Sequence, residues 1–99
     1  MGGREFLNVD PATLHLPGSR RSGADPYKLQ RQITKHGMSI VGMPPLEVSR
    51  GTDGEFVINN GVTRATRAAR FLPGVLVTVE VIDTLPIPVA KFPTIGELR

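Results

Sequence analysis

The chain contains no cysteine, which excludes disulfides, thiolate catalysis and cysteine-type zinc sites while leaving the redox compartment open. Its two histidines, His15 and His36, are too few and too far apart in sequence to suggest a metal site. No apolar run approaches the roughly 18 residues needed to span a membrane, and the N-terminus lacks the charged-then-apolar order of a signal peptide. A soluble protein with no membrane partner is therefore expected. Met1-Gly2-Gly3 reads as a domain-boundary start, which leaves membership of a longer polypeptide open.

What is present fits one modest core: 99 residues make one domain's worth of chain, with 39% hydrophobic and 21% charged residues. Eleven glycines and nine prolines predict many turns and short elements. The net charge of +3 and a pI near 10 suit an anionic partner such as a nucleotide or nucleic acid, without requiring one.

Along the chain, Arg4 to Val9 reads as an extended arm, and Thr13 to Leu16 as a second short strand before Pro17-Gly18. "SRRSGA" is a polar loop that places Arg20 and Arg21 just ahead of a helix. Asp25 as N-cap, Pro26 at the first helical position and Gly37 as the stop predict that helix over 26–36, with Leu29 and Ile33 packed and Lys28, Arg31, Gln32 and Lys35 wet. His36 and Lys35 suit its C-terminal end, and 38–45 suits a packed loop. Leu46 and Val48, then Phe56 and Ile58, flank "GTDG" and predict a hairpin over 45–59, with Asp53 a turn residue and Glu47 facing water, a general-base role being its alternative.

The most informative stretch is "VINNGVTRATRAARFLPG". At 100° per residue, Val62, Ala65, Ala68, Ala69 and Leu72 share one face of a second helix, and Thr63, Arg64, Arg67 and Arg70 share the other. Val75 to Ile82 then alternates as a long strand, and "TLPIPVAKFPTIGELR" is a proline-rich tail held extended and away from any central strand position. The expected fold is a small α+β domain with a mixed sheet covered by two helices, its core at about 14–83 and its tail at 84–99.

Two readings of Asn60-Gly61 stand side by side. One is a plain turn, because glycine permits positive φ and asparagine tolerates it. The other is an anion site, in which a glycine lets a ligand approach the unsatisfied N–H groups of a helix start. The arginines favour the second. No carboxylate lies among them at helical spacing, and Arg64 sits in the first turn, where opposing the helix dipole costs about a few tenths of a kcal/mol. Arg64 is the best candidate for a bidentate phosphate contact. Thr63 suits a helix cap, with a phosphate contact as the alternative. Arg70, near the C-terminal end, suits a structural role.

The runs "LPGSRR", "PPLEVSR", "DGEFVINNGVTRATRAAR" and "VTVEVID" resemble the ParB/sulfiredoxin superfamily over about Leu14 to Asp83. The resemblance implies that Gly61 and Arg64 occupy the superfamily's phosphate-binding Gly-x-x-Arg turn, with Arg20 and Arg21 in a loop beside it. Val62 stands where the ParB-type site has a glutamate, and the absence of cysteine excludes sulfiredoxin chemistry. A stand-alone, toxin-type or nuclease-like relative is then implied, cytoplasmic or exported within a larger toxin, with an immunity protein or a parent polypeptide as partner. The ligand set implied is Asn60, Gly61, Thr63, Arg64, Arg67, Arg20 and Arg21. No catalytic residue and no cofactor is assigned. The alternatives are a non-catalytic module whose basic helix face docks an acidic partner, and an inert structural domain of a longer protein.

Overall fold

The computed structural model describes residues 3–20, 23–36, 40 and 42–98. Helix α1, Pro26–His36, starts where the sequence supplies a cap: Asp25 Oδ1 accepts from Tyr27 N at 2.8 Å and Lys28 N at 3.4 Å. Its expected stop, Gly37, lies outside the described residues, as do Met38, Ser39 and Val41 of the loop beyond it. From that loop Ile40 and Met43 pack against the core.

Four strands, β1 (Glu5–Val9), β2 (Leu46–Arg50), β3 (Phe56–Asn60) and β4 (Val77–Thr84), form a mixed sheet in the order β1-β4-β2-β3. The hairpin β2–β3 is antiparallel, β4 runs parallel to β2, and β1 closes the edge antiparallel to β4. A parallel pair needs a crossover, which β3 and helix α2 (Val62–Phe71) supply. The valine alternation of β4 buries Val77 and Val79 on one face and leaves Thr78 exposed on the other. Leu46, Val48, Ile58 and these valines share one buried cluster with Val62, Ala65, Ala68 and Ala69 of α2.

A third helix, α3 (Ile95–Leu98), joins the two expected ones, and it comes from the tail. The X-Pro steps do keep this tail out of the sheet's centre, but it is not a loose end: Val89 and Ile95 are buried. Its anchor is Asp53, whose Oδ2 accepts from Val89 N at 3.1 Å and Ala90 N at 2.9 Å while Oδ1 accepts from Glu55 N. Gly51 makes room, since a Cβ there would sit 3.0 Å from both Val89 methyls. The turn residue of the hairpin thus also holds the chain's last segment.

The segment expected as a second strand makes a single bridge on each side, through His15. His15 N donates to Phe56 O and Ile58 N donates to His15 O, both at 2.9 Å, while Leu16 N donates to Pro93 O and Ile95 N to Leu14 O. The buried His15 ring spans the same junction, with Nδ1 2.7 Å from Phe92 O and Nε2 3.1 Å from Glu55 Oε1. At the sheet edge, two bidentate pairs, Arg4–Glu80 and Arg50–Glu5, tie the first strand region to its neighbours. These hydrogen bonds hold the Glu80 and Glu5 carboxyls below their ordinary value. Among the described residues, no helix is long and apolar enough to cross a membrane.

Candidate functional site

The junction of β3 and α2 turns on Gly61, which takes φ 110° and ψ 20° at the N-cap of α2. Two constraints require glycine here. The conformation is left-handed, and a Cβ would lie 2.5 Å from Leu46 Cδ2, inside the core. No side chain caps the helix, so the hydroxyl of Thr63 does not make the cap bond expected of it. The first intrahelical bond is Ala65 N to Gly61 O at 2.8 Å, which leaves the N–H groups of Val62, Thr63 and Arg64 without helical acceptors. The positive end of the helix dipole is thus open.

Beside this start lies a shallow hollow of about 400 Å³, with Pro17 and Ser19 on one side and residues 58–62 on the other. It joins the Asn60-Gly61 turn to the loop that the sequence singled out, since the backbone turn Gly18–Arg20 borders it through Ser19. The side chain of Arg20 and all of Arg21 lie outside the described residues, as does the His36 side chain. Pro17 and Ser19 were not legible as site residues, because only the fold carries them to the β3–α2 turn.

The other predicted ligands divide between three places. Arg64 stays at the helix start: its guanidinium lies 3.1 Å from where a Gly61 Cβ would stand, and Nη1 donates to Pro44 O at 3.0 Å. Its Nε and Nη2 make no hydrogen bond with the described residues. Thr63 instead faces a groove along the outer surface of α1. Arg67 corrects the expected solvated face outright: only 2% exposed, it is the largest fully buried side chain among the described residues. Its Nη2 contacts Met43 Sδ at 3.8 Å, in the loop before β2, and burial pushes its pKa down from the ordinary arginine value. A covered guanidinium is part of the packing, not a ligand presented to solvent. Arg70 is exposed at the last turn, where its charge suits the helix dipole.

The residues bordering the hollow include neither a carboxylate nor an imidazole. Among the described residues, no group of three or more metal-ligating side chains could hold an ion. What the junction offers is a helix start without a side-chain cap, a left-handed glycine and, outside the lining of the hollow, the Arg64 guanidinium. In comparisons with known proteins, no family model and no curated protein matches the chain.

Proposed function

We propose that this chain is a ParB/sulfiredoxin-like domain that binds the phosphate of a nucleotide or nucleic acid at the Gly61 turn, with Arg64 as the main side-chain ligand. The observation that carries the reading is the uncapped start of α2 with the Arg64 guanidinium folded over it. An oxyanion placed there would accept from the helix N–H groups that no side chain caps and gain from the dipole, and Arg64 would add charge-assisted bonds. The element order around it, with a strand, a Gly61-x-x-Arg64 turn, a helix and a strand returning parallel to β2, supports the superfamily assignment. Asn60 and Ser19 border the same hollow and supply further polar groups to it.

Binding without chemistry is the better-supported form, because no general acid or base borders the hollow. A toxin-type or nuclease-like activity would have to draw such a group from elsewhere. The test is calorimetric titration of the protein with inorganic phosphate, nucleoside mono- and triphosphates and NAD, repeated on Arg64→Ala. Loss of charge-assisted bonds predicts affinity weakened by about tenfold or more, with the melting temperature of the unliganded protein nearly unchanged. Equal affinity in the variant sinks the assignment, as does failure of every phosphate compound to bind the wild type. Nucleotide or nucleic-acid turnover that disappears in Arg64→Ala would promote the domain to an enzyme.

A further inference from the structure

The positive charge of this protein is concentrated in one layer. Helices α1 and α2 carry six of the twelve basic side chains and none of the nine acidic ones. Elsewhere, the pairs Arg4–Glu80 and Arg50–Glu5 neutralise each other. Asp25, immediately before α1 in sequence, has its carboxylate occupied as the helix cap. With Arg67 buried, the solvated cations of the helical layer fall mainly on α1. Lys28, Arg31 and Lys35 are all exposed there, at a spacing that sets them along one side of the helix.

Two further features distinguish this row from an ordinary solvated face. Tyr27 is 72% exposed at its start, the most exposed large hydrophobic side chain among the described residues, and Arg31 lies 6.0 Å from its ring centroid. An aromatic ring left in water beside cations is a stacking platform for a flat group. The row also lines a groove of about 620 Å³ that ends at Thr63, in the first turn of α2, next to Arg64.

We propose that the α1 groove binds a single strand of nucleic acid, with its phosphates along Lys28, Arg31 and Lys35 and a base on Tyr27, the strand running on to the start of α2. This rests on the phosphate-binding reading of the Gly61 turn and extends it from one phosphate to a chain of them. The row from Lys28 to Lys35 spans about 10 Å of helix, enough for more than one phosphate of an extended strand. An unpaired strand is chosen over a duplex because only unstacked bases can reach the ring.

The test is fluorescence anisotropy with end-labelled dT12 and U12 at low salt, using the full chain, with a 12-base-pair duplex and poly-glutamate as competitors. Binding should fall steeply with salt. Removing three cations in Lys28→Ser/Arg31→Ser/Lys35→Ser should weaken it by tenfold or more, and Tyr27→Ala by about fivefold or more. All four positions are exposed, so an unchanged melting temperature verifies that the variants fold. If neither oligonucleotide binds while mononucleotides bind in an Arg64-dependent manner, this inference falls and the phosphate site stands. If the oligonucleotides bind and Arg64→Ala has no effect, the groove stands and the phosphate site falls. Equal competition by poly-glutamate, with no effect of Tyr27→Ala, would show a docking face for acidic protein and overturn the nucleic-acid assignment.

Discussion

Replacing Gly61 by alanine tests whether the turn is as constrained as its geometry requires. At φ 110° an L-residue is in the left-handed region, which costs about 1–2 kcal/mol. The new methyl also lies 2.5 Å from Leu46 Cδ2, and Leu46 is fully buried, so the core must shift for about 1–3 kcal/mol more. The expected loss is about 2–5 kcal/mol, out of a total stability of about 5–15 for a domain of this size. Urea unfolding followed by circular dichroism should show a lower midpoint at unchanged slope, and the melting temperature should fall by about 10 °C or more. A cycle with Leu46→Ala separates the two contributions. Leu46→Ala alone costs about 2–5 kcal/mol, but it removes the colliding methyl, so Gly61→Ala in that background should cost only the backbone share of about 1–2 kcal/mol. A Gly61→Ala protein within about 0.5 kcal/mol of the wild type, or a penalty that Leu46→Ala leaves unchanged, refutes the reasoning.

Three other outcomes follow from the structure. Arg67→Ala, which empties a fully buried site, should destabilise by about 2–4 kcal/mol, whereas Arg70→Ala, three residues on and exposed, should stay within about 0.5 kcal/mol; denaturant midpoints compare them. Burial opposes ionisation of Asp53, but the N–H groups of Ala90, Glu55 and Val89 outweigh it and set its pKa below the ordinary value of 3.8. The contribution of such a carboxyl is fully present above that ordinary value and is lost as pH falls through the depressed one. Amide protection at Val89 and Ala90, measured against the intrinsic exchange rate at each pH, should therefore fall below about pH 4 in the wild type, and in Asp53→Asn it should be low throughout, without that acid step. The same sign applies to Glu5 and Glu80, so replacing both by glutamine should flatten part of the acid limb of the stability curve.

Much of the framework was readable because its causes are local. Asp25-Pro26 starts α1, the alternation around "GTDG" makes the β2–β3 hairpin, Gly61 breaks the strand into α2, and the valine run makes β4. The misreadings came from contacts between distant parts of the chain. Helical periodicity assigns Arg67 to the face opposite the alanines, but it cannot show that the loop carrying Met43 returns to cover that face. The prolines of the tail predict extended backbone correctly. They carry no trace of Asp53 reaching residues 89 and 90, nor of Ile95 entering the core. At the β3–α2 junction the turn glycine is legible in the sequence, whereas Ser19 comes beside it only through the fold. The α1 row reads from sequence as wet lysines and arginine, and what sets it apart is that neither helix carries an acidic residue.

The two-sided pairing of residues 14–16 bears on how fast this protein folds. That short segment is held on one flank by β3, roughly 40 residues away, and on the other by residues 93–95, roughly 80 away, so neither contact can form until large loops have closed. The parallel match of β2 with β4 adds another distant pairing. Such a topology places the chain among slow-folding small domains, in milliseconds to seconds, despite its two good helices. The clasp on 14–16 should form late, after the hairpin and α2 have met. Substitutions in that clasp would then mainly speed unfolding, while those at the hairpin–helix junction, where Gly61 sits, would slow folding itself.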